Sequence, residues 1–202
     1  LSRITLLFLL LLCGAESLAA QGRTERYDDT FRKYTKRFFG PGFDWRLFKA
    51  QSMTESNLSS SALSTAGARG IMQLMPSTYF DIQSRNPDFG SIDDPESNIA
   101  AGIYYNRRLW RQWDQEVTPE YQRHFMFGSY NAGRATLVRA QAVARERTLD
   151  PRTWPSIEAV APLVPRWRHQ ETLAYVRRIG ANLARLDGSG RVQASPKKTA
   201  GF

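Results

Sequence analysis

The chain is poor in the residues that staple or ligate. Its 202 residues include one cysteine, Cys13, and two histidines, His124 and His169. No Cys/His pair stands at zinc-finger spacing, which argues against a metal site, and no cofactor is expected. Cys13 lies inside an apparent leader, so the exported chain would hold no cysteine and no disulfide. Long apolar runs are also missing. Leu6 to Leu12 is too short for an ordinary membrane span. Acidic residues are outnumbered, 19 Asp and Glu against 28 Lys and Arg, for a net charge of +9. A basic chain of this kind favours polyanionic partners. Nucleic acid, anionic lipid and acidic wall polymers all qualify on charge alone.

Hydrophobic residues make up 42% of the chain. That suits one domain with its own core and terminal extensions. Residues 1–20 read as a secretory signal, with Arg3 before the apolar run and small-residue cleavage sites ending at Ala19 or Ala20. A lipidation signal wants a small residue before its cysteine, and Leu12 stands before Cys13. The expectation is therefore an exported, unlipidated protein of the periplasm or cell envelope.

Residues 21–41 are charged and then aromatic, with Phe31, Tyr34 and Phe38 at helical spacing. They predict a helix that packs on the domain, with a wall or membrane surface as the lesser option. Asp44 can cap a helix over 44–56, on which Leu47, Gln51 and Glu55 share a stripe. A Ser/Gly-rich loop follows, then a short apolar run closed by Pro76. Asp94-Pro95 opens a helix whose core face carries Ile99, Gly102, Ile103, Asn106, Leu109, Trp110 and Trp113. Pro119 is expected to open the next helix, which ends at Ser129-Tyr130-Asn131, and a further helix covers 134–146. Prolines between 150 and 165 suggest a looped stretch. The last helix, about 169–186, buries Thr172, Val176, Ile179, Leu183 and Leu186 and sets Glu171 and Tyr175 on one edge. Residues 188–202 read as a disordered basic tail. No repeat and no clear strand pattern occur, although 80–95 leaves room for a small β-ribbon.

Four short motifs carry the chemistry. They are Glu55-Ser56, Gly70-Ile71-Met72-Gln73, Ser129-Tyr130-Asn131 and Glu171-Thr172-Leu173-Ala174-Tyr175-Val176. A lone glutamate at a helix end is usually only solvated. Together and in this order, the four resemble the goose-type lysozyme and lytic transglycosylase family, in particular its soluble-lytic-transglycosylase module. The pattern is nearest to the catalytic half of the membrane-bound members that also carry a solute-binding-like domain. Ser129 departs from the alanine usual there.

The resemblance implies a mainly α, lysozyme-like single catalytic domain over 42–187, acting on peptidoglycan glycan strands. It implies Glu55 as the catalytic acid. It also implies a saccharide cleft lined by Ser64, Gln73, Met75, Tyr130, Asn131 and Glu171, with Tyr175 near the acid. Cleaving a glycosidic bond needs a proton donor and stabilisation of an oxocarbenium-like centre. The family uses one acid twice and closes the muramyl C6 hydroxyl onto C1. A water-using muramidase on the same fold and an inactive wall-binding module are the competing readings. Nucleic-acid binding has only the charge behind it and is not expected.

Overall fold

The structure is a computed structural model that describes residues 25–192. The expected export signal at 1–20 and the last ten residues of the expected tail lie outside them. Among the described residues the chain forms eight α-helices and one 3-10 turn. The helices are α1 (Asp28–Phe39), α2 (Arg46–Ser56), α3 (Pro76–Arg85), α4 (Pro95–Gln112), α5 (Gln122–Ala132), α6 (Arg134–Glu146), α7 (Trp154–Val160) and α8 (His169–Val192). None is long and apolar enough to cross a membrane.

The helix ends follow local chemistry. Asp28 and Asp29 occupy the first turn of α1 and Lys36 and Arg37 its last, which complements the helix dipole. Asp44 Oδ1 accepts the Arg46 backbone N–H at 3.0 Å, at the start of α2. That helix stops at Asn57, which takes a left-handed φ of 52° while its N–H bonds to the Met53 carbonyl at 3.2 Å. Asp94 caps α4 by accepting the Ser97 N–H at 2.8 Å, with Pro95 at the first helical position.

The core lies along α4. Ile99, Ala100, Ala101 and Ile103 are fully enclosed, and Trp113 ends the stripe with no exposed surface. Helix α1 packs along α4, α2 along α8, and α5 lies against α4, α6 and α8. Phe31 is fully buried and Tyr34 nearly so, so the N-terminal aromatic segment shares the core of the domain. Lys49 on α2 is buried and ion-paired with Asp28 of α1, which ties the two helices together. Trp113 donates to Ser129 Oγ at 2.9 Å, and Trp110 packs edge-on against Phe39 and Phe43. Both indoles serve packing.

Several sequence expectations shift. The stretch 80–95 holds no ribbon; it finishes α3 and turns into α4. The β-like pairing sits earlier, as two isolated bridges joining Leu63 to Arg69 and Arg69 to Leu74. Helix α5 begins at Gln122, a turn beyond Pro119. The proline-rich stretch contains α7, because Pro155 falls in its first turn, where proline gives up no hydrogen bond. Helix α8 runs on to Val192 through Gly188 and Gly190, and Asp187 on it pairs with Arg46 at 2.5 Å. Glycine lowers helix stability by about 1 kcal/mol but does not forbid the conformation.

Gly102 shows how tight the centre is. A Cβ there would lie 2.6 Å from Met72 Cγ and 2.7 Å from its Cβ. Met72 cannot swing aside freely, since its sulfur accepts a hydrogen bond from Ser52 Oγ at 2.7 Å. Gly102→Ala is expected to cost roughly 1–3 kcal/mol, as overpacking of a dense core does. Chemical denaturation of the two proteins checks this.

Candidate active site

Glu55 occupies the last turn of α2. The next residue joins that helix end to the following loop, because Ser56 Oγ donates to the Ile71 carbonyl at 2.8 Å. The loop is held from behind by Asn98 of α4. Its Oδ1 accepts the Met72 N–H at 2.8 Å, and its Nδ2 donates to the carbonyls of Arg69 and Ile92 at 3.1 and 2.9 Å. Gly70 has a φ of +77°, and an added Cβ would lie 2.5 Å from Asn98 Nδ2. Only glycine lets the loop come this close.

Two tyrosines close on the acid from other helices. Tyr175 of α8 donates to Glu55 Oε1 at 2.5 Å. Tyr130 of α5 donates to the Met72 carbonyl at 2.8 Å, so the third motif is latched onto the second. Tyr105 of α4 rests against the Tyr130 ring, with centroids 5.3 Å apart. Thr172 joins the last two motifs. Its hydroxyl donates to Asn131 Oδ1 at 2.8 Å and accepts from the Trp167 indole at 3.0 Å.

Glu55 keeps partial solvent exposure, yet burial of its carboxyl lifts the pKa from 4.5 to about 7. The Tyr175 hydrogen bond and the positive charge of Arg178 pull the other way and only partly offset burial. Both tyrosine hydroxyls are pushed well above their ordinary range, first by burial and then by the Glu55 charge. They stay protonated and act as donors. A carboxyl poised near neutrality can give up a proton and later take one back.

The remaining sequence candidates fall into two groups. Ser64 and Gln73 build the loop. Ser64 Oγ accepts the Ala68 N–H at 2.9 Å. Gln73, with a φ of 47°, donates to the carbonyls of Ala62 and Gly70 at 3.2 and 2.9 Å. Met75 is 41% exposed just beyond the loop, at the N-cap of α3. Met72 and Leu74 are buried. Glu171 is exposed and pairs with Arg168 at 2.9 Å, in a shallow cleft with Trp167, His169 and Gln170. It does not share an environment with Tyr175, which is buried four residues later. Four residues bring the helix back to nearly the same face one turn further on, so the difference is axial: Glu171 lies in the exposed first turn of α8, while Tyr175 lies where the helix enters the core.

The transglycosylase SLT domain matches residues 30–151, more than half of the chain. The chain belongs to this family. A membrane-bound lytic murein transglycosylase F of Desulfosudis oleivorans is 34% identical over 125 residues, which is 61% of this chain and 26% of that protein. The protein of the same description from Shewanella pealeana is 26% identical over 157 residues, covering 78% of this chain and 31% of its own. The crystal structure of the 70 kDa soluble lytic transglycosylase of Escherichia coli superposes with a TM-score of 0.60. It is 26% identical and covers 78% of this chain and 23% of that one. This chain therefore spans about a quarter to a third of the proteins it matches, and it has their lysozyme-like transglycosylase fold.

In this SLT domain Ser129, the departure from alanine, has a partner of its own. Its hydroxyl accepts the indole N–H of the fully buried Trp113, which an alanine could not do. Sequence reasoning did not find Asn98, and it placed Thr172 and Gln51 on helix stripes without seeing their roles. A signal existed in each case. Asn98 and Thr172 are polar residues among apolar helix positions, Gln51 follows Leu47 on its stripe, and a buried amide or hydroxyl has to be satisfied by something.

Proposed function

We propose that this SLT domain is a lytic transglycosylase of the cell envelope. It cleaves the β-1,4 bond between N-acetylmuramic acid and N-acetylglucosamine and leaves a 1,6-anhydromuramyl end. One observation carries the reading: Glu55 is a largely desolvated carboxyl lifted to about 7, while Glu171, the other motif carboxylate, is solvent-exposed and paired with Arg168. A site with one framed acid suits a reaction in which the substrate brings its own nucleophile. Glu55 protonates the leaving glycosidic oxygen. The resulting carboxylate then removes the proton of the muramyl C6 hydroxyl as that oxygen closes onto C1. Protons balance over the cycle and no water is consumed. Tyr175 orients the carboxyl, and Tyr130 and Asn131 frame the cleft on the α5 side. Gln73, Ser64 and the exposed Met75 shape its loop side, and Glu171 lies on the outer rim. Peptidoglycan strands are the substrate, and the net charge of +9 favours acidic wall polymers or the membrane surface nearby. The N-terminal signal accounts for export.

Mass spectrometry of purified sacculi after incubation tests this. Anhydro ends are expected, one water lighter than the reducing ends of a muramidase; reducing ends alone would reject the transglycosylase. The first step needs protonated Glu55, so the initial rate is expected to fall as pH rises through about 7. A rate that keeps climbing to pH 9 would point to another acid.

A further inference from the structure

Four side chains on three helices form one line of hydrogen bonds that ends on Glu55. Asn106 of α4 donates from Nδ2 to Gln51 Oε1 at 2.7 Å and to the Gly102 carbonyl at 3.0 Å. Gln51 of α2 donates from Nε2 to the Tyr175 hydroxyl at 2.9 Å. Tyr175 of α8 donates to Glu55 Oε1 at 2.5 Å. Asn106 and Gln51 are completely enclosed and Tyr175 is 2% exposed.

The far end of the line dictates its direction. A backbone carbonyl only accepts, so the Asn106 atom facing Gly102 is the amide nitrogen. The same nitrogen meets Gln51, so the Gln51 atom there is its oxygen. The Gln51 nitrogen must then face Tyr175, whose single proton is left to point at Glu55. This arrangement strands Asn106 Oδ1, which is buried without a protein partner. Leaving an acceptor stranded is destabilising, and such an atom in a dense core calls for a reason. Turning the amide over would set oxygen against oxygen at both neighbours.

We propose that Gln51 and Asn106 are positioning residues, which send the Tyr175 proton onto Glu55 Oε1 and so reserve Oε2 as the oxygen that carries and delivers the catalytic proton. An oxygen that already accepts a short hydrogen bond is the less basic of the pair. The carboxyl proton therefore resides on its twin. The inference rests on Glu55 being the acid of the proposed reaction. The titrating and charged groups around it are Tyr175 and Arg178 of α8 and Tyr130 of α5, with Tyr105 of α4 behind Tyr130. Tyr130 gives its proton to the Met72 carbonyl and does not compete for Glu55. Gln51 and Asn106 carry no charge, so they impose a direction without adding a titration.

A purely structural role would be to join α2 to α4, and an apolar pair would do that as well. The test uses the whole domain labelled with 13C at the glutamate carboxyls, with Glu55→Gln identifying the Glu55 signal. Asn106→Leu lets Gln51 turn its oxygen toward the Tyr175 hydroxyl, which then leaves Glu55. The Glu55 midpoint is expected to rise by about one pH unit, the order of a lost hydrogen bond to a charged group. Gln51→Leu leaves Glu55 as the acceptor of the Tyr175 proton and is expected to produce a smaller rise. The double variant is expected to match Gln51→Leu, because Asn106 then has nothing to direct. Asn106→Ser, too short to reach Gln51, replaces Asn106→Leu if that variant does not fold. On sacculi, the alkaline limb of the rate profile moves in the same order while KM stays within about twofold. An unchanged midpoint in every variant, or a double variant equal to the sum of the singles, would overturn the inference. The titration is read without substrate, so absence of anhydro product from the unaltered protein would reject the proposed function and leave this result standing.

Discussion

Glu55→Gln is expected to lower release of anhydromuropeptides by ~10²–10⁴-fold or more, the usual contribution of a positioned acid–base group. The amide is nearly the same size, and its oxygen can still accept from Tyr175, so glycan binding should persist. Glu171→Gln should do far less, because that carboxylate is exposed and paired only with Arg168. The same substitution carries a stability signature whose sign follows from linkage. Glu55 titrates near 7 in the folded protein and at the ordinary 4.5 when unfolded. Its raised value favours the fold below the unfolded pKa, and that advantage is lost as pH rises from 4.5 through about 7. The loss amounts to roughly 3 kcal/mol at full ionisation. Glu55→Gln never ionises, so its melting point should match the parent at pH 4 and exceed it at pH 8. A variant that turns over sacculi normally, or one that melts lower than its parent at pH 8, would remove Glu55 from the role assigned to it.

Asn98→Leu is expected to have the second largest effect, although Asn98 is part of no motif. The change strips the Met72 N–H and the Ile92 carbonyl of the asparagine and weakens the hold on the Arg69 carbonyl. Stranding two backbone groups costs on the order of 3 kcal/mol. The damage lands on the loop that faces Glu55, since the neighbouring Ile71 and Met72 carbonyls receive Ser56 and Tyr130. Turnover is expected to fall by at least tenfold even at temperatures where the variant is fully folded. Denaturant melts and turnover measured on one preparation separate the two effects. A variant with full turnover and unchanged stability would mean that the loop holds its shape without Asn98.

The four motifs were legible in the sequence because each is local. Glu55-Ser56 is two adjacent residues at one helix end, and Gly70 with Gln73 bends one loop. The α4 stripe was legible for the same reason: a helix repeats every 3.6 residues, so Ile99, Ile103 and Leu109 declare a buried face. Local reading fails where the same residue type has two meanings. Pro155 looks like a breaker, yet it begins α7. Gly188 and Gly190 look like a tail, yet α8 continues through them.

What the sequence determined by itself was the helical class of the domain, the order of the motifs along the chain and the choice of Glu55 as the candidate acid. What only the tertiary structure decided was which polar groups meet. Gln51 and Asn106 are 55 positions apart, and Tyr175 and Glu55 are 120 apart. No periodicity relates such pairs, because the helices that carry them are brought together by their apolar faces and not by the polar residues themselves. The sequence placed Glu171 and Tyr175 on one helix edge; packing of α8 sent one to solvent and the other to the acid. The pKa of Glu55 belongs to the same class of fact. A carboxyl titrates according to the water it has lost, and the amount lost is a property of the assembled core.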